Sequence, residues 1–535
     1  MKAKPIEINW HDREAVYSVD FSPNSNRVVT AGADGTVRIW SIVQRAQSAA
    51  VSELSTSANT NMPVEVDFLS ELKRHTAPVN VARFSPSGLY IASAGDDTNV
   101  IIWKPTDVKQ VTFGSGNADY EKESWVAHAI LRGHTKEIYD LAWSPCGRYF
   151  ITGAIDNTAC VWNLEEKKCI KVLADHTHYV QGVAWDPLGK YIATQSSDRS
   201  VAMYKCTNDN HGNLVIGSCA KKHYKLDRSK LLSNIAKGMQ EDNVTNLPST
   251  TAPATSGQTF RLFQDENLVS FFRRLAFSND GALLITPAGL YKQTNDDNVA
   301  DMDTDDTSSH GGDGAANNDT QNTIYVYARN TVTQQPVAFF GNYSKAAIAV
   351  KYSPVKYQLR SKRGIVKPSQ FALPYRMVFA VATQDAVFVY DTQQSKPLCM
   401  LSGMHYASIT DISWSSDGNV LMLTSNDGYC SVAVYDKEEL GIPYEGESAR
   451  PAGDMLEKMP IVQEPPQIKT AEQPRPLTAL DTWARKVESP TIAPATSPSR
   501  DNKRPMAAAP AEAKPGENSQ QKKKRRIAPT LISSL

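Results

Sequence analysis

The chain has 535 residues, with 57 Lys and Arg against 57 Asp and Glu, 41% hydrophobic and 21% charged, enough apolar material for a large core and too much for a uniformly unfolded chain. Balanced charge excludes coating of nucleic acid by bulk electrostatics, which needs a surplus of Lys and Arg on one surface. No apolar run approaches the roughly 18 to 20 residues of a bilayer crossing, and residues 1–10 hold no apolar signal core, so a soluble, non-secreted protein is expected.

The first predicted element is the extended stretch PIEINW, which belongs to no repeat. Four repeating units follow, in register on Trp40, Trp103, Trp162 and Tyr204. An aromatic stands nineteen positions before each anchor (Phe21, Phe84, Trp143, Trp185), a Ser or Thr ten before (Thr30, Ser93, Thr152, Thr194), and an Asp six before (Asp34, Asp97, Asp156, Asp198). His75, His134 and His176 lie twenty-eight before their anchors, and His11 one residue further out. Within each unit, runs such as YDLAWSP, RYFITGA and ACVWNL alternate β-branched and aromatic residues between turn signals, the mark of short antiparallel strands. The pattern resembles the WD40 repeat, in which one four-stranded sheet is a blade of a β-propeller and His, Ser/Thr, Asp and Trp form a buried hydrogen-bonded set. An Asp at a tight turn accepts from the His ring, the other ring nitrogen reaches the hydroxyl, and the indole N–H closes the chain.

Three weaker units follow: residues 275–289 with a closing strand at 324–329, residues 350–354 with 378–392, and residues 409–436. Asp427 stands eight rather than six residues before Tyr435, so a weaker network is expected there. The last unit has three strands, and PIEINW supplies the fourth if the ring closes on itself, leaving no open sheet edge. The expected fold is therefore all-β: a seven-bladed propeller over 1–436 closed by the N-terminal strand, with loop insertions at about 43–63, 207–258, 292–322 and 356–374 and a disordered C-terminal tail. The acidic insertion around 296–306 reads either as a solvated loop or as a screen for a basic partner. It lacks the glycine and glutamate of an EF-hand loop.

From about 437 the composition shifts: 14 of the 30 prolines fall in the last 99 residues, predicting a disordered linker over 437–520. Within it, 477–487 reads as an amphipathic segment for a partner groove or as an unused one, and Ser489 and Ser497 precede prolines in kinase-site fashion. Lys522, Lys523, Lys524, Arg525 and Arg526 form a basic run that alone reads as a nuclear localisation signal. Seven scattered cysteines (Cys146, Cys160, Cys169, Cys206, Cys219, Cys399, Cys430) include no C-x-x-C pair and no His at zinc spacing, so reduced thiols and no metal site are expected. No G-x-S-x-G elbow, P-loop or kinase set is present, and the prominent histidines have structural duties, so no enzyme and no cofactor are expected.

Two further stretches carry a resemblance. RRIAPTLI, in residues 521–535, is similar to the B-domain motif by which certain WD40 histone chaperones bind anti-silencing factor. EINWHDREAVYSVDFSP and RLFQDENLVSFFRRLAFSNDGALLITPAG resemble the WD40 middle subunit of chromatin assembly factor 1, with a fungal cast. The resemblance implies a nuclear, non-catalytic histone chaperone subunit. It would act with a large subunit and a second, histone-binding WD40 subunit to deposit H3/H4 on newly replicated DNA, without membrane contact or sequence-specific DNA binding. Carried onto this sequence, Arg525 and Arg526 would pair with carboxylates of anti-silencing factor while Ile527, Pro529 and Leu531 lie along an added strand. Whether the propeller touches histone stays open. Phe271 and Phe272 read as packing between blades, while Arg273 and Arg274 read either as partners of nearby carboxylates or as a partner surface. Two rivals remain: a replication-independent WD40 histone chaperone, which carries a folded region beyond its B-domain whereas this sequence stops three residues after Ile532, and a generic nuclear WD40 adaptor such as a ubiquitin-ligase substrate receptor.

Overall fold

A computed structural model describes residues 1–44, 63–108, 121–210, 212–227, 259–292, 320–362, 365–366, 369–371, 373–436 and 438–446. The described residues form seven four-stranded antiparallel sheets. Six are meanders in chain order, with inner strands Val16–Phe21, Val79–Phe84, Ile138–Trp143, Val180–Trp185, Ala276–Phe277 and Ala347–Tyr357. The seventh, Ile409–Trp414, Val420–Ser425 and Cys430–Val434, takes its outer strand from the other end of the chain: Lys2–Ile6 pairs antiparallel with Cys430–Val434, Ile6 opposite Cys430. Each inner strand packs against the next and the seventh against the first, so the sheets close into a ring of seven blades.

The core follows from this closure. Seven hydrophobic clusters occur, one at each blade interface. Because successive strand residues face opposite sides of a sheet, Val28 and Trp40 of blade 1 enter the cluster shared with blade 7, while Val29 and Ile39 enter the one shared with blade 2. Inner strands are thus covered on both faces and read as near-continuous apolar runs. At the closure, Trp10 is fully buried, donates its indole N–H to the Ile6 carbonyl at 3.0 Å and meets Trp40 edge-on at 4.7 Å.

The structure corrects several expected boundaries. Residues 214–223 are not part of a loop but the outer strand Leu214–His223 of blade 4. An outer strand leaves most of its side chains in water, and its polar composition imitates a loop. The segment 324–329 is not the closing strand of blade 5: Thr320–Ala328 is its third strand and Ala338–Tyr343 its fourth. The linker expected from 437 begins later, since Ile442 accepts from the Gln358 amide, Tyr444 donates its amide to Lys356, Leu440 is buried, and the Tyr444 ring lies 5.4 Å from Tyr375.

Candidate functional site

Four blades carry the repeated polar network. In blade 1, His11 Nδ1 lies 2.8 Å from Asp34 and its Nε2 2.8 Å from Thr30 Oγ1, which accepts from the Trp40 indole at 2.9 Å. In blade 2 the corresponding distances, His75 to Asp97 and Ser93 and Trp103 to Ser93, are 2.8, 2.7 and 2.8 Å. In blade 3, His134 reaches Asp156 at 3.0 Å and Thr152 at 2.7 Å, and Trp162 donates to Thr152 at 2.8 Å. In blade 4, His176 reaches Asp198 at 3.0 Å and Thr194 at 2.8 Å, but the anchor Tyr204 turns its hydroxyl to Asp175 at 2.9 Å. Burial lowers the pKa of His11, favouring the neutral ring that donates from Nδ1 and accepts at Nε2. For Asp34, burial works upward, but the His11 interaction and hydrogen bonds from the Thr36 amide and hydroxyl outweigh it and leave a pKa of about 2.

Blade 7 holds half of such a network, which the repeat spacing anchored on Tyr435 does not locate. His405 Nδ1 lies 3.0 Å from Asp427 Oδ2. The interval of twenty-two residues equals that of blades 2 to 4, so the anchor position is Ala433 rather than Tyr435, and the hydroxyl position is Leu423. Strand register agrees, since Leu421 opposite Ala433 matches Phe150 opposite Trp162. His405 Nε2 is accordingly buried without a hydrogen-bond partner.

The centre of the ring is built differently. Six inner strands carry a bulge at their second residue: Tyr17, Asn80, Tyr139, Gln181, Ile348 and Thr410. A bulged residue drops out of the ladder, and its backbone groups need other partners. The dipeptide Arg273–Arg274 supplies five of them. The Arg273 amide donates to Gln181 at 3.1 Å and the Arg274 amide to Ile348 at 2.8 Å. The Arg274 guanidinium donates to the carbonyls of Tyr17 at 3.0 Å, Thr410 at 2.9 Å and Asn80 at 2.8 Å. It also lies 3.1 Å from Asp411 and 3.5 Å from Asp140. Blade 5 makes this reach possible because its inner strand is cut to two residues, and the preceding chain runs through the channel instead.

Arg273 and Arg274 are 1% and 2% exposed, so the expectation of a partner surface at these residues is corrected: a guanidinium has five donors, and both side chains are consumed inside the ring. Arg274 pairs with carboxylates, as the alternative reading holds. Arg273 instead donates to the backbone carbonyls of Gln264 and Asp265. Phe272 is buried, whereas Phe271 does not pack between blades and is 58% exposed.

Around Arg274 the channel carries Asp20, Asp140 and Asp411 against Arg83, Arg274 and Lys351. Arg83 lies 2.7 Å from Asp411 and 3.9 Å from Asp140, and Lys351 lies 3.8 Å from Asp20. Burial pushes Asp140 and Asp20 up and Arg274 and Lys351 down. For Asp411 burial also works upward, but Arg274, Arg83 and Lys351 together hold it below the usual carboxylate range. Beyond these groups the channel opens into a cavity of about 400 Å³ rimmed by Trp143, Trp185 and Trp414. The charged groups neutralise one another, which suits a structural hub rather than acid–base chemistry. Among the described residues no cluster of three His, Cys, Asp or Glu could hold a metal ion. The segments 296–306 and 477–487, Ser489, Ser497, the basic run Lys522–Arg526 and the motif residues Ile527, Pro529 and Leu531 lie outside the described residues.

Comparison with known proteins follows the same residues. The family described as the CAF1B/HIR1 beta-propeller domain matches residues 1–230 and 310–440. The CAF1B subunit of chromatin assembly factor 1 from Schizosaccharomyces pombe is 35% identical over 539 residues, covering 92% of this chain and 98% of that protein. The Gallus gallus protein of the same name is 34% identical over 458 residues, 83% of this chain and 69% of its own. Protein HIR1 of Kluyveromyces lactis is 26% identical over 461 residues, 83% of this chain but 44% of its own.

Proposed function

The chain belongs to the CAF1B family of chromatin assembly factor 1 subunits, and on that footing we propose that it is the WD40 middle subunit of a nuclear histone chaperone. It holds a large subunit and a second WD40 subunit together while H3/H4 is placed on newly replicated DNA. The observation that carries this reading is the match to the Schizosaccharomyces pombe protein over nearly the full length of both chains. The HIR1 relative shares the propeller at lower identity and over less than half of its own length, which favours the replication-coupled chaperone over the replication-independent one. The site supports a scaffold rather than a catalyst, since the buried charges of the channel are spent on one another.

The closed ring is the part able to offer a broad preformed surface to the large subunit. The C-terminal motif is the element that receives H3/H4 from anti-silencing factor. Residues 525–532 add a strand to that chaperone, Ile527 and Leu531 fill apolar grooves, Pro529 tolerates the edge position, and Arg525 and Arg526 make charge-assisted pairs. Lys522 to Arg526 also serve nuclear import.

Purification of the tagged full chain from nuclei tests the reading. Stoichiometric recovery of the large and the histone-binding subunits of chromatin assembly factor 1 is expected, and recovery of a ubiquitin ligase or of a replication-independent chaperone complex instead would overturn it. For the tail, calorimetry with a 515–535 peptide should show binding to anti-silencing factor abolished by Ile527→Ala with Leu531→Ala. Each buried aliphatic side chain is worth roughly 1.5 to 3 kcal/mol, and import should survive because the five basic residues remain. Unchanged affinity of the doubly substituted peptide would reduce the motif to a basic signal.

A further inference from the structure

The bulged ends of the inner strands and the Asp turns lie at the same end of the ring, as the pairing of Val16 with Gly32 requires. At that end the mouth of the channel is paved with aromatic rings. Phe272 lies over the Arg274 guanidinium, 3.9 Å from it. Tyr17 and Tyr139 flank Phe272 at 6.1 and 6.4 Å, and Phe271 stands 5.8 Å from Tyr139 and 6.4 Å from Phe272.

Phe271 and its neighbour Val269, which is 82% exposed, sit on a fastened segment rather than a loose one. Gln384 donates its side-chain amide to the Val269 carbonyl at 2.7 Å, Gln181 donates to Ser270 at 3.2 Å, and Arg273 and Arg274 are pinned to the blades on either side. Large apolar groups held outward on a fixed backbone gain nothing for the fold and mark an interaction surface.

The charge around the aromatic floor selects the partner. The Tyr139 hydroxyl is pushed upward by burial and then by Asp96 and Glu137, and Tyr17 by burial, Asp96 and Glu14. Asp96 is itself raised by burial and by Glu137 and Asp97. None of Glu14, Asp96 and Glu137 forms an ion pair with a described cation, although Arg13 and Lys136 adjoin two of them in sequence. Gln181 adds a buried side-chain oxygen without a donor. Aromatic faces attract cations, and unneutralised carboxylates beside them strengthen that preference.

We infer that the floor formed by Tyr17, Tyr139, Phe271 and Phe272, with its rim of Glu14, Asp96 and Glu137, docks an extended segment of another protein chain that carries lysine or arginine. The cationic side chain lies against the rings at the channel mouth, and the rim carboxylates fix its charged end. Family membership plays no part in this inference, so its failure would leave that membership untouched.

Fluorescence anisotropy of the full chain with a labelled Lys-Gly repeat peptide, and with the Glu-Gly peptide as control, provides the test. The lysine peptide is expected to bind saturably and salt-sensitively while the glutamate peptide does not. Phe271→Ala, at an exposed site, should weaken binding at least about tenfold, which corresponds to about 1.4 kcal/mol. Glu14→Gln with Glu137→Gln should weaken it as well and flatten its salt dependence. Wild-type affinity in Phe271→Ala would overturn the inference, as would equal binding of both peptides. Tighter binding after replacement of Lys522 to Arg526 by alanine would also overturn it, because the occupant would then be this chain's own tail.

Discussion

Blades 1 to 4 and blades 5 to 7 hold their polar groups in different ways. In the first set each blade satisfies its own: His, Ser or Thr, Asp and, in three of the four, Trp bond within one sheet. In the second set the bonds cross between blades or use residues found once. Arg329 of blade 5 reaches Asp186 of blade 4 at 3.0 Å, Trp414 of blade 7 donates to Lys351 of blade 6 at 3.2 Å, and Arg274 ties blades 1, 2, 3 and 7 together. A network complete within its repeat can be copied, and copying keeps its spacing. A network completed by a neighbour is fixed by the whole ring and leaves no period.

The comparison can be broken most severely at its two unrepeated elements. Deleting residues 1–10 removes the strand Lys2–Ile6 and the buried Trp10, and should cost on the order of 5 kcal/mol or more and spoil cooperative unfolding. Melting of that truncation at the full-chain temperature would show that the ring does not depend on its closure. Arg274→Met should cost about 3 to 5 kcal/mol in urea unfolding, because it leaves Asp411 and Asp140 buried with less compensation and three carbonyls without donors.

Within the repeated set, Asp156→Ala or Trp162→Ala should lose about 2 to 4 kcal/mol. Asp427→Ala in blade 7 should lose less, about 1 kcal/mol, since His405 has no onward partner to misplace. Equal losses at the two aspartates would erase the distinction between a full network and half of one. Leu423→Thr sharpens it further. The new hydroxyl would stand at the position of Thr152, within reach of His405, so this substitution should cost about 1 kcal/mol less than Leu421→Thr.

The smallest expected effect concerns acid. The pKa of Asp34 is lowered from 3.8 to about 2 in the folded chain, so its stabilising contribution is complete above about pH 4 and lost as pH falls toward 2. Asp34→Asn should therefore flatten the fall of stability across that window, and parallel curves for the variant and the unmodified chain would contradict the assignment.

These contrasts explain what can be read from the sequence. The four networks, the seven blades and the closing strand are all legible because spacing and alternation encode them. Blade 7 reads two residues out of place, since the anchor aromatic has become Ala433 and Tyr435 offers itself instead. The interval from His405 to Asp427 corrects this, being set by the blade rather than by the aromatic. Leu214–His223 imitates a loop because an outer strand buries few side chains. The role of Arg274 has no signal at all: its acceptors are backbone carbonyls of Tyr17, Asn80 and Thr410, and carbonyls belong to every residue alike. Two adjacent arginines beside two phenylalanines therefore look like a surface when three of the four side chains are buried.

Hydrogen exchange of the inner-strand amides in Arg274→Lys and Trp162→Ala compares the two kinds of network directly. An ammonium cannot reach the acceptors that the forked guanidinium holds together, so Arg274→Lys should lower protection in blades 1, 2, 3 and 7 at once. Trp162→Ala should lower it in blade 3 and the blades beside it. Loss of protection confined to blades 5 and 6 in Arg274→Lys, with blades 1, 2 and 7 unchanged, would contradict a hub at the centre of the ring.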